Sequence, residues 1–211
     1  SGKTEIYIHL ISEALDRDEQ VLYLLPEIAL TVQMMQRLRD IFGSRLGIYH
    51  SKYSDAERVE IWQKQLSPEP YDVILGARSA VFLPFKRLGL VIIDEEHETS
   101  FKQQDPAPRY HARSAAIILA QIYRAKTLLG TATPAIETYN NAREGKYGLV
   151  TLTKRYKDIK LPEIEIVDTK DLRRRKMMSG FFSPRLISAI RTALSENKQV
   201  ILFQNRRGFA P

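Results

Sequence analysis

The stretch LGLVIIDEEH, residues 88–97, decides how the fold of this 211-residue chain is interpreted. An apolar run that is typical of a buried strand ends directly in three acidic residues and a histidine. A carboxylate at the tip of a buried parallel strand is well placed to hold Mg²⁺, directly or through water. We therefore predict that Asp94 binds Mg²⁺ and that Glu95 beside it polarises an attacking water molecule. An acidic turn that caps the next helix would produce the same letters.

Short apolar runs alternate with helical patterns on both sides of this stretch. The other predicted strands are 21–25, 45–50, 71–76 and 126–134, the last of which ends in a loop, and the predicted helices are 30–42, 54–66, 112–125 and 135–145. Continuous apolar strands separated by helices indicate a parallel sheet that is covered on both faces. The pattern predicts a doubly wound α/β fold, in which ligands bind at the carboxyl ends of the strands.

The first four residues, Ser1-Gly2-Lys3-Thr4, match the second half of the phosphate-binding pattern G-x-x-x-x-G-K-[ST]. In that loop, backbone N–H groups wrap the phosphates of a nucleotide, the lysine reaches the β- and γ-phosphates, and the hydroxyl binds Mg²⁺. The loop opens a helix, whose amino terminus favours anions. A flexible terminus with a solvated lysine is the alternative. Because this loop and Asp94 would share one edge of the sheet, the two motifs together predict an NTPase.

The segment GTATP, residues 130–134, follows another apolar strand. The hydroxyl groups of Thr131 and Thr133 can link the acidic motif to a neighbouring lobe by hydrogen bonds. A tight turn before a helix, with Thr133 as the N-cap and Pro134 in the first helical position, is a second interpretation. Both can hold at once.

The composition narrows the class of protein. The formal net charge is +7 and the pI is about 9.5, which is consistent with a nucleic acid or another polyanion as partner. The chain has no cysteine, which excludes disulfides and thiolate metal sites within it. His50 and His111 have no metal-ligand partners at suitable spacing. Without a long apolar run or a signal-peptide pattern, we expect a soluble, cytosolic protein with no membrane partner.

The pattern changes near Tyr147, and we place a domain boundary after residue 153. Residues 1–153 are the predicted first lobe, and residues 154–211 are predicted to be a linker and the beginning of a second α/β lobe. Strand-like stretches lie at 147–153, 163–168 and 200–205, and an exposed basic linker is expected at 169–182. A helix is predicted to begin with Ser183 as N-cap and Pro184 in its first position.

The motifs SGKT, PEIALT, GARSA, DEEH and GTATP, in this order, resemble those of superfamily 2 helicases. Longer stretches, among them LLPEIALTVQ, GARSAVFLPFKRLGLVIIDEEHETSFKQQ and VILFQNRRGFAP, resemble the bacterial replication-restart helicases along essentially the whole chain. The resemblance implies a RecA-like P-loop NTPase fold, ATP and Mg²⁺ as cofactors, and 3′→5′ unwinding of DNA in the bacterial cytoplasm. The implied partners are single-stranded and forked DNA, primosome proteins and the single-stranded DNA-binding protein.

The resemblance also assigns roles by position. It gives Gly2, Lys3 and Thr4 to the phosphates and Mg²⁺, Asp94 to Mg²⁺, and the role of general base to Glu95. It implies that His97 and Thr131 couple the state of the nucleotide to DNA.

By the same resemblance, the motifs PEIALT and GARSA contact the phosphates of a single DNA strand through Thr31, Arg78 and Ser79. Each has a structural alternative: Thr31 can cap a helix, and Arg78 can be a surface cation.

The stretch SFKQQDPAPRYHAR, which starts at residue 100, matches the aromatic-rich loop of that family. Its aromatic side chains, Phe101 and Tyr110, would stack on bases, and its cations would bind phosphates: Lys102, Arg109 and Arg113. A loop whose aromatic rings pack on the core is the alternative. Elsewhere, we assign Trp62 and Tyr49 to the core.

By the same resemblance, the P-loop is truncated, a DNA-binding region precedes Ser1, and a cysteine-rich zinc module follows Pro211. The second lobe of such a helicase supplies the arginines that stabilise the transition state. Arg206 and Arg207 match an early motif of that lobe, which is not the motif that supplies the transition-state arginines. We therefore expect the isolated chain to be at most a feeble ATPase that does not unwind DNA. Two alternatives stay open: another superfamily 2 translocase or restriction-type subunit, and a non-enzymatic DNA-binding or primosome scaffold.

Overall fold

The computed structural model describes residues 2–50, 53–153 and 162–204. A five-stranded sheet with the order β2-β3-β1-β4-β5 organises the first part, and every neighbouring pair of strands is parallel. The strands are β1 Gln20–Leu24, β2 Leu46–Tyr49, β3 Val73–Gly76, β4 Leu88–Asp94 and β5 Lys126–Gly130. All five predicted strands of this sheet are therefore confirmed.

Seven α-helices are described along the chain. They are α1 Lys3–Asp16, α2 Val32–Phe42, α3 Asp55–Leu66, α4 Ala112–Tyr123, α5 Ile136–Arg143, α6 Thr169–Arg174 and α7 Pro184–Ser195. Short 3₁₀ segments at Arg78–Phe82 and Thr99–Phe101 carry two of the motifs named above. α3 begins with the Ser54–Glu57 capping box, in which each residue satisfies a backbone N–H of the other.

The sheet is buried on both faces, as the continuous apolar strands predict. Along β1, Val21 and Tyr23 belong to one hydrophobic cluster, and Leu22 and Leu24 belong to the other. The first cluster includes the apolar stripes of α1 and α2, and the second includes those of α3 and α4. This arrangement confirms the doubly wound α/β fold.

Trp62 corrects a prediction, because it is 42% exposed and does not belong to the core. α3 buries Ile61 and Gln65, which are four residues apart, so the side chain of Trp62 lies at the side of that stripe. Tyr49, at the end of β2, packs against the second hydrophobic cluster as predicted.

The chain divides into two compact units, residues 1–158 and 159–211. The predicted boundary lies at residue 153, and residues 154–161 are outside the described part of the chain. In the second unit, Ser183 caps α7 through a hydrogen bond from the N–H of Leu186, and Pro184 occupies its first turn, as predicted. α6 lies in the segment that we predicted to be an exposed linker.

The strand-like stretches after residue 146 are not strands in this structure. The described residues of 147–153, 163–168 and 200–204 have no regular secondary structure. Apolar side chains in them stay exposed: Ile164 by 82%, Ile166 by 92% and Ile201 by 94%. A strand needs a neighbour to bond its backbone, and no described strand pairs with these stretches. The described residues of the second unit therefore contribute two helices and no sheet.

Candidate functional site

The amino terminus of α1 meets the carboxyl end of β4. Lys3 Nζ lies 2.6 Å from Glu95 Oε1 and 3.2 Å from Asp94 Oδ1. Gly2, the N-cap, has φ 79°, a left-handed conformation that glycine adopts without strain. Burial lowers the pKa of Lys3, but its hydrogen bond to Glu95 and the charge of Asp94 outweigh burial and raise that pKa above its usual value. The structure thus brings together the two motifs that the sequence placed at one sheet edge.

One oxygen of Asp94 receives all the described contacts of this carboxylate. Besides Lys3, Oδ1 accepts hydrogen bonds at 3.0 Å each from the Tyr7 hydroxyl and from the N–H of Glu95. Asp94 is 8% exposed. Among the described residues, no contact falls on Oδ2, so this oxygen is the one that a cation would meet.

Tyr7 and Gly130 complete this arrangement, and the sequence analysis missed both. Tyr7 is 3% exposed, and a Cβ atom at position 130 would overlap its hydroxyl oxygen. Burial, followed by the charge of Asp94, raises the pKa of Tyr7 well above its usual value, so the hydroxyl stays a donor. The sequence signal that could have indicated Tyr7 is its spacing: it follows Lys3 by four residues, so both lie on one side of α1.

His97 joins the acidic turn to the segment after β5. Its Nδ1 lies 2.7 Å from Thr131 Oγ1, and its Nε2 lies 3.4 Å from Thr133 Oγ1. His97 and Thr131, which were predicted to couple the nucleotide to DNA, and Thr133, which was predicted to link the acidic motif to a neighbouring lobe, are thus in contact within the first unit. Thr133 is not the N-cap of α5, which begins after Ala135; the second interpretation of GTATP is therefore wrong in its cap residue.

Glu96 is buried on the opposite side of the same turn, with 0% exposure. It pairs with Arg113, whose Nη1 lies 2.6 Å from Glu96 Oε2. Arg113 was predicted to bind phosphates. In the structure its side chain is 15% exposed and is held by this carboxylate, so phosphate binding by Arg113 stays a prediction. Sequence reasoning missed Glu96 because acidic residues at turns are usually solvated.

The loop at residues 99–111 places its two aromatic rings differently. Phe101 is 1% exposed and packs in the second hydrophobic cluster, so it has no free face for a base and its predicted stacking role is contradicted. Tyr110 is partly exposed and contacts Phe82 edge to face, at a centroid distance of 4.7 Å. For Phe101, the alternative of core packing holds.

The cations of this loop and of the GARSA motif lie near one another. Arg78 Nη1 donates to the carbonyl oxygens of Ser100 at 3.1 Å and Lys102 at 3.4 Å. Lys102 Nζ donates to the carbonyl of Arg109 at 2.7 Å. Arg78 is thus a link between the two motifs as well as a half-exposed cation. Its neighbour on the 3₁₀ segment is Ser79, which is also half-buried.

Thr31 is the N-cap of α2. Its Oγ1 accepts a hydrogen bond from the N–H of Met34 at 3.2 Å, and the residue is exposed. The structural alternative therefore holds for Thr31, and its contact with DNA stays a prediction.

The residues around Lys3 fit a nucleotide with Mg²⁺. The site offers an ammonium, the half-buried Thr4 in the first turn of α1, two carboxylates and the amino terminus of a helix. Among residues 2–50, 53–153 and 162–204, no three histidine, cysteine or acidic side chains form a metal cluster. Mg²⁺ does not need such a cluster, because it is usually held by one or two protein oxygens together with phosphates and water. Thr4 and Asp94 are the residues that would hold it.

None of the described helices combines the length and the apolar character that a membrane-spanning segment needs.

Comparison with known proteins identifies relatives along the whole chain. The sequence model of the DEAD/DEAH box helicases matches residues 1–142. The replication restart protein PriA of Rickettsia conorii is 48% identical over 212 residues, which is 100% of this chain and 32% of that protein. PriA of Haemophilus influenzae is 42% identical (100% and 28%), and PriA of Bacillus subtilis is 40% identical (100% and 26%). The chain thus spans about a third of these relatives or less.

Among solved structures, RecG bound to a three-way DNA junction aligns with a TM-score of 0.47 and 23% identity, covering 69% of this chain and 18% of that one.

Proposed function

We propose, from the premise that this chain belongs to the DEAD/DEAH box helicase family, that it is part of an ATP-driven DNA helicase that acts in replication restart. The family model covers residues 1–142, and the PriA relatives are 40–48% identical over the whole chain. One observation of the structure carries the proposal: Lys3 Nζ lies within 3.2 Å of carboxylate oxygens of both Asp94 and Glu95 at the carboxyl edge of the sheet.

Lys3 has a defined part in this proposal. Its ammonium pairs with two adjacent carboxylates, and the phosphates of a nucleotide would replace them as its partners. Glu95 is then released from its 2.6 Å contact and is free to accept a proton from water as general base. Asp94 and Thr4 would hold Mg²⁺, which supplies charge neutralisation between the phosphates when bound.

The DNA contacts in the proposal follow the surface around Arg78. This guanidinium and the loop that carries Lys102, Arg109 and Tyr110 are joined by hydrogen bonds, so they present cations and one partly exposed ring in one region. Cations with an aromatic ring are the combination that holds a single strand by its phosphates and bases. The net charge of +7 supports a polyanionic partner. Forked DNA, primosome proteins and the single-stranded DNA-binding protein are proposed partners of the complete protein.

The experiment that tests this proposal is ATP hydrolysis by the complete protein that contains these residues, measured with forked DNA, with single-stranded DNA and with neither. A replication-restart helicase is expected to respond more strongly to forks than to single strands. Equal stimulation by both would indicate another translocase of the family, and absence of turnover would indicate a scaffold. Either result would contradict the proposal.

A further inference from the structure

Glu96 is a buried carboxylate that neither the proposed hydrolysis nor the predicted DNA contacts use. Its side chain is 0% exposed, although it lies directly after Glu95, whose side chain is 33% exposed. An ionised carboxylate is costly to bury unless it is paired and hydrogen-bonded. The partners of Glu96 therefore indicate what it does.

Five hydrogen bonds join Glu96 to three segments of the first unit, one of them from Arg113 Nη1 to the carbonyl oxygen of Glu96 at 3.3 Å. Its Oε2 is bonded by Arg113 Nη1 of α4 at 2.6 Å and by Thr138 Oγ1 of α5 at 2.9 Å. Its Oε1 accepts from the N–H of Ala135, the N-cap of α5, at 2.8 Å, and its own N–H donates to the carbonyl of Gly130 at 3.2 Å. Both carboxylate oxygens are thus satisfied.

The anchored Glu96 determines how Glu95 is presented. Glu95 has φ 49°, a left-handed conformation that residues with a side chain rarely adopt and that surrounding contacts must hold. In this turn, Glu95 reaches Lys3 at the sheet edge while Glu96 is bound by α4 and α5. Holding the side chain of Glu96 between α4 and α5 keeps the side chain of Glu95 turned toward Lys3.

The same anchor holds the segment that His97 contacts. Glu96 binds Gly130 and Ala135, which flank Thr131, and Thr131 is the residue that His97 meets at 2.7 Å. Glu96 therefore binds this short segment at both ends, and His97 binds it between them.

We propose that Glu96, paired with Arg113, is a positioning residue for ATP hydrolysis: it fixes Glu95 and the 130–135 segment in the geometry that the reaction needs. The proposal rests on the proposed function. A positioning role differs from a purely stabilising role, because in the latter any well-packed pair at positions 96 and 113 would preserve ATP hydrolysis.

The test replaces the pair by apolar residues in the complete protein. Exchanging both partners of a buried ion pair for apolar side chains is often neutral for stability, but Glu96→Leu/Arg113→Met also leaves the Ala135 N–H and the Thr138 hydroxyl without their acceptor, so its Tm is expected to fall while the protein still folds. Because misplacement of reacting groups by about 1 Å can cost about a hundredfold in rate, kcat is expected to fall at least about tenfold with the KM for ATP nearly unchanged. Hydrogen exchange of residues 131–138 is expected to become faster.

Glu96→Gln is the conservative variant, because its amide oxygen still accepts from Ala135 while the charge that pairs with Arg113 is lost. Its kcat is expected to lie between those of the wild type and the double variant. If the double variant does not fold, Glu96→Gln decides the question alone, and a kcat equal to that of the wild type would overturn the proposal.

The control is Asp72→Asn, which removes ion pairs with Arg45 (2.7 Å) and Arg87 (3.0 Å) just before β3, at the opposite end of the strands. It is expected to change Tm and leave kcat unaltered. A double variant with native kcat and native exchange would overturn the proposal. If the wild type hydrolyses no ATP, the proposed function fails, and the exchange of residues 131–138 still decides whether Glu96 holds that segment.

Discussion

Asp94 illustrates how much a single residue of this site depends on others. Its Oδ1 is held by Tyr7, by the backbone of Glu95 and by Lys3, at 3.0 to 3.2 Å. The Tyr7 hydroxyl reaches it only because position 130 has no side chain. The orientation of the predicted Mg²⁺ ligand is therefore set by an aromatic residue of α1 and a glycine of β5.

Gly130→Ala is expected to destabilise the protein. The added methyl would overlap the Tyr7 hydroxyl, and the overpacking would cost about 1–3 kcal/mol. Urea unfolding measures the loss. Gly148→Ala is the matched control, because a Cβ there would meet nothing within 4 Å. Equal stability of the two variants would contradict the close approach seen here.

His111 predicts a dependence of stability on pH. Burial lowers its pKa, and the nearby charges of Arg113 and Lys102 lower it further, against weaker opposite effects from Glu137 and Glu96. The unfolded chain, with a His pKa of about 6.5, therefore binds a proton at a higher pH than the folded chain does. The contribution of neutral His111 to stability is complete above that pH and is lost as pH falls toward its folded pKa.

His111→Gln is accordingly expected to flatten the decline of stability between neutral and mildly acidic pH. Thermal unfolding at a series of pH values checks this. His9→Gln is the comparison, because His9 is exposed on α1. The idea fails if both variants follow the wild-type profile.

At the scale of elements, Thr31 has an observed role as the N-cap of α2 and a predicted role as a DNA contact, and two substitutions distinguish them. Thr31→Ala is expected to destabilise the helix by about 1 kcal/mol, because the N–H of Met34 loses its acceptor. Thr31→Asp keeps an acceptor but adds a negative charge. If Thr31 contacts the phosphates of DNA, the Thr31→Asp variant should bind DNA more weakly than the wild type. Its unfolding midpoint should equal that of the wild type. Unchanged affinity would leave Thr31 as a cap alone.

The elements also show what the sequence could predict. Strands β1 to β4 were found because they are apolar runs that are almost entirely buried, and β5, whose first two residues are exposed, was found from its short apolar stretch at Leu128 and Leu129. The stretches 163–168 and 200–204 also contain strand-like apolar residues, but these stay exposed. Strand formation depends on neighbouring strands, which a local sequence pattern does not reveal. Lys3, Asp94 and Glu95 were found from motifs. Tyr7 and the Glu96–Arg113 pair were missed because they act through contacts between distant positions.

At the scale of the whole molecule, the relatives are about three times longer than this chain or more. The resemblance places the transition-state arginines in a second lobe, and an arginine finger of this kind can contribute about 10³–10⁵ in rate. The isolated chain is therefore expected to hydrolyse ATP at least about a hundredfold more slowly than the complete protein, and not to unwind DNA. Robust unwinding by residues 1–211 alone would contradict this view.

The measurement that tests the central claim most directly is ATP turnover of the complete protein and its Glu95→Gln variant, with saturating forked DNA. Loss of a general base is expected to lower kcat about 10²–10⁴-fold with ATP binding retained. Glu60→Gln, an exposed change on α3, should behave as the wild type. A Glu95→Gln enzyme that turns over ATP within about threefold of the wild type, a small fraction of that expected loss, would contradict the assignment of this sheet edge as the hydrolytic site.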